Sequence, residues 1–346
     1  MKRTLRLLSL LLALAMMLSV AACSGSGSAA TPSPSSSPSA SPSPEAKVYK
    51  VGIIQMMDHV ALNGAREGFI QALADKGLVD GKNLQIDYKD ANADANNYST
   101  IADQFVMDKK DLVLAIATPA AQAMAAKTTS IPILATAVTS FTTAGLVDSD
   151  EVPGGNVSGT TDMNPVDKQM ELMFTLCPDV KTVGFLYCSS EDNSRLQVDI
   201  AKKWLDAKGI KYVERTVSNQ NEVQQATQSI VTECDAIYLP TDNIFAATMP
   251  IVNEITVSAG IPTICGEAGM VQSGGFATLG ITYYGIGYQA GLMAVDILVN
   301  GADISKMPVT GSSEFEYCIN SDVAKSLGIT IPTDLQQYVV TPSPSK

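Results

Sequence analysis

The 346-residue chain is 46% hydrophobic and 17% charged, which suits about two domains with buried cores and excludes a disordered or fibrous protein. Its formal charge is −12, and removing the three basic residues of the leader, Lys2, Arg3 and Arg6, makes it −15. So acidic a balance excludes nucleic acid and an anionic membrane surface as electrostatic partners of the folded body.

Residues 1–22 read as a secretion leader: a basic start, an apolar run from Leu7 to Ala22 broken only by Ser9 and Ser19, and the small residues Val20-Ala21-Ala22 before Cys23. A cysteine at that position resembles the lipobox of bacterial lipoproteins, in which the thiol is acylated and becomes the mature N-terminus. Residues 23–47 are Ser, Gly, Ala, Thr and Pro with almost no apolar bulk, so they cannot offset their ordering entropy and form a tether. Residues 341–346, Thr-Pro-Ser-Pro-Ser-Lys, are expected to fray in the same way.

From residue 48 to 340 strands alternate with helices. Apolar runs at 51–55, 84–90, 112–117 and 133–137 predict buried strands, and i, i+3, i+4 spacing predicts helices at 61–76, 97–107 and 119–127. A second series follows, with strands at 182–187, 211–217, 236–239 and 261–265 and helices at 166–177, 193–207, 222–232 and 245–259. The two series match each other. Val51-Gly52 lies 25 positions before Lys76-Gly77, and Val183-Gly184 lies 25 positions before Lys208-Gly209. Asp111–Thr118 pairs with Asp235–Thr241, Ile131-Pro132 with Ile261-Pro262, and Gly154-Gly155 with Gly274-Gly275. The fold class is therefore α/β, with two doubly wound parallel-sheet lobes, a hinge and a central ligand cleft at the carboxyl ends of the strands.

The loops expected around that cleft differ in chemistry. In the first lobe they are Gln55–His59, Thr118–Ala120 and Ala137–Ser140, offering hydroxyls and helix N-termini. With Thr118 as N-cap and Pro119 at the first helical position, the N–H groups of Ala120 and Ala121 are left to meet an anion. In the second lobe, Cys188–Asn193, Thr241–Asn243 and Gly266–Gly269 carry Glu191, Asp192, Asp242 and Glu267, which suit a cation. A ligand bearing both charges, such as an α-amino acid, satisfies both lobes.

These residues together resemble the tryptophan/tyrosine-type group of ABC transporter substrate-binding proteins, built on the type I periplasmic-binding-protein fold. The resemblance is carried by Val51-Gly-Ile-Ile-Gln with His59-Val-Ala-Leu62, by Ala115-Ile-Ala-Thr-Pro-Ala-Ala-Gln-Ala123 and by Gly155-Asn-Val-Ser-Gly-Thr-Thr-Asp162-Met-Asn-Pro165. Tyr238-Leu-Pro-Thr-Asp-Asn243 and Gly280-Ile-Thr-Tyr-Tyr284, running on to Gly287-Tyr-Gln-Ala-Gly291, complete it. Val60 and Asn63 depart from the usual Pro and Asp of the first loop. The resemblance implies discontinuous lobes, 48–162 with 283–310 and 163–282 with 311–340, crossing near 160–163, 282–284 and 309–313. It also implies hinge closure on a small ligand, most plainly tryptophan or tyrosine, and delivery to an ABC permease with its ATPase subunits by a monomer anchored through lipid on Cys23 at the outer face of the bacterial cytoplasmic membrane.

On this expectation Thr118 and the turn Pro119-Ala120-Ala121 take the ligand carboxylate with help from Thr139. Asp242 takes the ammonium with Glu267 and the Ala137 carbonyl, while Gln55, His59, Asn193 and Asn243 shape the pocket. Phe141, Tyr187, Phe245 and Tyr284 are the candidates to stack on an aromatic side chain. No cofactor is expected. The single His59 excludes His-pair metal sites, and Cys177, Cys188, Cys234, Cys265 and Cys318 form no ligand cluster and are expected to be buried free thiols. An enzyme is not expected, since there is no G-x-S-x-G elbow or second histidine. The rival expectation is a receptor for a sugar, nucleoside or signalling molecule on the same fold.

Overall fold

The computed structural model describes residues 47–312 and 314–341; the leader, the tether with Cys23, and residues 342–346 lie outside the described residues. The first lobe begins β1 (Tyr49–Gln55), α1 (Val60–Asp75), β2 (Leu84–Asp90), α2 (Ala95–Met107), β3 (Leu112–Ile116), α3 (Thr118–Ala125), β4 (Ile133–Val138) and β5 (Val157–Thr161). The second runs α4 (Val166–Leu176), β6 (Thr182–Cys188), α5 (Asp192–Lys208), β7 (Lys211–Val217), α6 (Val223–Ile230), β8 (Ala236–Leu239), α7 (Asn243–Ala259), β9 (Thr263–Cys265), α8 (Ala268–Gln272) and β10 (Ala277–Gly280). The chain then returns as α9 (Tyr283–Leu298) and β11 (Thr310–Gly311), and closes with β12 (Glu316–Asn320), α10 (Ser321–Leu327) and β13 (Val339–Val340).

The repeat in the sequence is a repeat in topology. One sheet has the order β11-β5-β4-β3-β1-β2 and the other β13-β12-β10-β9-β8-β6-β7, so five successive strands are laid down twice in the same order. Central strands are buried along their length, as in β3 and β4, because helices cover both faces; the edge strands β2 and β7 are half-exposed. β5 and β10 have no counterpart in the apolar pattern, since Val-Ser-Gly-Thr-Thr and Ala-Thr-Leu-Gly offer small and polar side chains rather than a hydrophobic run. The copies diverge only at their last edges, where β11 runs parallel to β5 while β12 runs antiparallel to β10.

The backbone passes between the sheets after β5, after β10 and after β11. Helix α9 is fixed to the first lobe by close crossing with α1. A Cβ at Gly287 would collide with the Ala65 carbonyl, and one at Gly68 with the Tyr284 carbonyl. Glycine there lets two backbones touch, which is the physical content of the Gly-rich segment after Tyr284.

Candidate functional site

The strand carboxyl ends of both lobes meet across a cleft, and the lobes touch through side chains. His59 Nε2 lies 3.1 Å from Asn243 Oδ1, Gln122 Nε2 donates to Asp192 Oδ2 at 3.0 Å, and the hydroxyls of Thr139 and Thr241 are 3.4 Å apart. These contacts define a closed arrangement. Between the lobes lies a narrow cavity of about 10 Å³, lined by His59, Ala137, Asp162, Asn193, Thr241, Asp242, Asn243, Ala246, Glu267 and Tyr283. That is room for about one water molecule.

The first lobe supplies strained backbone and free donors. Ala117 has φ 83° and Ala137 φ 57°, both in the left-handed region that an alanine avoids, and the second sits at an irregularity in the β4–β5 pairing. Two such residues at adjacent strand ends are the pattern of a site that re-aims its backbone toward a ligand. Ala117, not Thr118, is the N-cap of α3; Thr118 is the first helical residue and Pro119 the second. Ala117 N–H donates to the Thr136 carbonyl and Ala121 N–H to the Ala117 carbonyl at 3.1 Å, so Ala121 is withdrawn from the expected cradle. The helix terminus leaves the N–H groups of Thr118 and Ala120. Thr118 Oγ1 is buried without a partner beside them.

The negative groups lie in the second lobe and, with Asp162, at the end of β5 where the chain first crosses. Asp162, Glu191, Asp242 and Glu267 are all buried, at 1–3% exposure, and none takes part in an ion pair among the described residues. Burial raises all four carboxyls, Glu191 to about 8 with help from the charge of Asp242, and Glu267 to about 7. Burial likewise pushes His59 down to about 4, against the opposing effects of Asn243 and Asp58.

Their hydrogen bonds separate structural carboxylates from available ones. Asp242 caps α7: Oδ1 accepts from Phe245 N–H at 3.0 Å, and Oδ2 from Cys188 N–H at 2.5 Å and Ser194 Oγ at 2.8 Å. Its oxygens are used within its own lobe, as the cap of α7, while the residue also lines the cavity. Glu267 likewise caps α8 through Gly269 and Met270 N–H. Thr139 donates its hydroxyl proton to Asp162 Oδ1 at 2.8 Å rather than to a ligand carboxylate. Gln55 is used up within the first lobe, donating to the Met57 carbonyl and Asn63 and accepting from Arg66, so it orders the β1–α1 loop instead of lining the cavity.

Asp162 and Tyr283 are not among the expected site residues, and Glu191 is expected only as one of the cleft-loop carboxylates. Asp162 sits at the first crossing, accepting from Thr139 and, at 2.6 Å, from the Tyr283 hydroxyl. Each oxygen keeps a lone pair. Tyr283, not Tyr284, lines the cavity; Tyr284 is exposed and packs on Tyr288. Phe141 and Phe245 are core, and Tyr187 donates to Glu214 away from the cleft. Asn193 and Asn243 do line the cavity and hold Glu191, Asn243 Nδ2 donating to Glu191 Oε2 at 2.6 Å. That bond fixes Asn243 Oδ1 as acceptor, so His59 Nε2 donates to it and Nδ1 presents a lone pair.

Eight buried side-chain polar atoms among the described residues lack a partner. Five of them, on His59, Tyr98, Thr118, Glu191 and Asn193, follow strands at their carboxyl ends. Buried polar groups are ordinarily paired, so this concentration sets the strand-end loops apart from the rest of the described residues. The described cysteines are all free.

The family model for ABC transporter substrate binding proteins matches residues 50–341. The chain belongs to this family. This substrate-binding protein is 45% identical over 281 residues to the "Tyrosine-binding protein" of Clostridioides difficile (strain R20291), covering 81% of each chain. A Streptococcus pneumoniae structure described as an ABC domain in complex with L-Trp is 35% identical with a TM-score of 0.82, covering 85% of this chain and 100% of that one. The ligand-free, open structure of a Clostridium difficile substrate binding protein with adhesive properties is 44% identical, with coverage of 86% and 100%, yet its TM-score is 0.67. The more similar sequence superposes less well; that structure is open, whereas here the lobes touch through side chains. Its architecture is the type I periplasmic-binding-protein fold that the sequence resembles.

Proposed function

We propose that this protein captures a free aromatic amino acid, tyrosine or tryptophan, between its lobes and hands it to an ABC permease. The observation that carries the reading is a cleft with unpaired donors at the α3 terminus and, at the first crossing, the buried carboxylate of Asp162 without a cation. The ligand carboxylate would meet the N–H groups of Thr118 and Ala120 and the Thr118 hydroxyl, at the positive end of α3. The ammonium would meet Asp162, helped by the Ala137 carbonyl. Pro119 presets the turn, and Tyr283 supplies the aromatic wall. The relatives support an amino acid: one is named for tyrosine and another was solved with L-Trp.

Binding rather than catalysis is its role in this reading, and closure is the signal a permease reads. Proteins of this family work outside the cytoplasm. Here the body would be a monomer held to the outer face of the membrane by lipid on Cys23; no described helix is long and apolar enough to cross a bilayer. Cys23→Ala is expected to move the protein from membrane to medium, and continued acyl labelling of that variant would defeat the anchor. A thermal-shift screen of the twenty amino acids with common sugars and nucleosides tests the ligand class. Stabilisation by tyrosine or tryptophan is expected; stabilisation by sugars or nucleosides alone would overturn the reading in favour of the rival receptor.

A further inference from the structure

Two buried acceptors border the cavity between the lobes and have no assignment in the reading above. His59, from the first lobe, and Asn193, from the second, both line it. His59 Nδ1 and Asn193 Oδ1 are buried and meet no donor among the described residues. Their neighbours fix both as acceptors. Asn193 Nδ2 donates to the Thr241 carbonyl at 2.8 Å, and a carbonyl only accepts, so the other end of that amide is the oxygen. Glu191 Oε2 accepts from Asn193 Nδ2 at 3.2 Å and from the backbone N–H of Asn243 at 3.3 Å, and it accepts from Asn243 Nδ2 at 2.6 Å. That turns Asn243 Oδ1 toward His59 Nε2, which donates to it at 3.1 Å and leaves Nδ1 with a lone pair. Burial pushes the imidazole down to about 4, so the ring is neutral at pH 7 and keeps that lone pair.

The other polar groups around the cavity are engaged. Asp242 and Glu267 cap their own helices, and the Tyr283 hydroxyl is spent on Asp162. What remains is a set of acceptors: His59 Nδ1, Asn193 Oδ1 and the spare lone pairs of Asp162. A cavity of about 10 Å³ admits one water-sized group, so these acceptors converge on a single small head group. That group has to donate, which rules out a carbonyl, a carboxylate or an ether. A hydroxyl gives one proton and serves one acceptor. A primary ammonium gives three, accepts none and brings the charge that Asp162 is without. Resting on the amino-acid reading, we propose that His59 and Asn193 are specificity-determining residues that complete, with Asp162, a three-acceptor seat for the ligand's primary ammonium. The Ala137 carbonyl then acts on that ammonium through its dipole. His59 and Asn193 come from opposite lobes, so the seat is whole only in the closed form and the ammonium ties binding to closure.

His59 is the single histidine of the chain, so nitrogen NMR of the full chain labelled in histidine reads Nδ1 without overlap. The Nδ1 resonance is expected to move upfield on saturation with tyrosine, as it accepts a hydrogen bond, and to stay in place with 3-(4-hydroxyphenyl)propionate, which lacks the ammonium. Calorimetry with the same two ligands on His59→Gln, His59→Asn and Asn193→Leu tests the seat a second way. Glutamine keeps a donor at the place of Nε2 and loses the acceptor at Nδ1, whereas asparagine does the reverse. His59→Gln and Asn193→Leu are expected to weaken tyrosine roughly 10- to 100-fold, the loss of one hydrogen bond to a charged group, and to leave the propionate within about threefold. His59→Asn is expected to stay within about fivefold of wild type for tyrosine. A variant that loses both ligands together has lost its fold, and the wild-type NMR shift then decides. An Nδ1 signal that tyrosine does not move, or a His59→Gln affinity for tyrosine within about threefold of wild type, would overturn the seat while leaving an amino-acid binder. A wild type that binds only sugars or nucleosides would overturn the amino-acid reading itself.

Discussion

Asp162→Asn separates the charge of the proposed ammonium partner from its place in the fold. The asparagine keeps the volume, and the amide oxygen still accepts from Tyr283, now at 2.6 Å, while the Thr139 hydroxyl, at 2.8 Å, turns to accept from the amide nitrogen. What is lost is a negative charge buried at 3% exposure with no cation beside it. Removing one partner of a buried charge pair costs about 3–5 kcal/mol, because the other is left uncompensated, which corresponds to roughly 150-fold weaker binding or more. Without ligand the sign reverses: burial raises the Asp162 carboxyl, so its charge opposes the closed form and the neutral amide relieves that cost. Calorimetry with tyrosine or tryptophan is therefore expected to show the large loss, while the melting temperature of the ligand-free variant stays level or rises. An affinity within threefold of wild type would refute the assignment, and so would a ligand-free protein that melts well below wild type, since Asp162 would then be structural.

Thr118→Val should weaken the ligand by about 1 kcal/mol, or fivefold, with stability nearly unchanged, whereas Asp242→Ala should lower the melting temperature by removing a cap worth about 1–2 kcal/mol; calorimetry paired with thermal melts distinguishes them. The pH dependence follows from Glu191. Its carboxyl is raised from 4.5 to about 8 in the closed form, so that form holds the extra proton between those values and is favoured below pH 4.5, losing stability as pH rises toward 8. Small-angle scattering of ligand-free protein should therefore show a larger radius at pH 8.5 than at pH 5. Gly287→Ala forces a Cβ onto the Ala65 carbonyl and should lower the melting temperature markedly, as should Gly68→Ala, through separation of α9 from α1.

Most of the fold was legible because doubly wound strands are buried on both faces and read as unbroken apolar runs, and because the chain repeats its landmarks. β5 and β10 escaped that signal: their residues are small and polar, and they are strands because neighbours pair with them. The cleft loops were legible as a set, since ligands meet such sheets at strand carboxyl ends. Individual roles were less so. Asp242 and Glu267 are carboxylates one step before a helix, and whether such a group caps its own helix or faces a ligand depends on side-chain direction, which one-dimensional spacing does not carry. Asp162 stood in a quoted motif but read as hinge, and only its bonds to Thr139 and Tyr283 place it at the cavity. Tyr283 and Tyr284 are adjacent, and the start of α9 turns the first inward and the second out. Thr118 shifted by one position because Ala117 adopts a left-handed backbone that its side chain does not announce.

The central claim is that the α3 terminus holds the carboxylate of an amino acid and Asp162, at the first crossing, its ammonium. Calorimetry comparing tyrosine with tyramine, which lacks the carboxylate, and with 3-(4-hydroxyphenyl)propionate, which lacks the ammonium, tests this directly. Each truncated ligand is expected to bind at least about 100-fold more weakly than tyrosine, since each leaves one wall unpaired. Affinity for either one within tenfold of tyrosine would contradict the two-walled account.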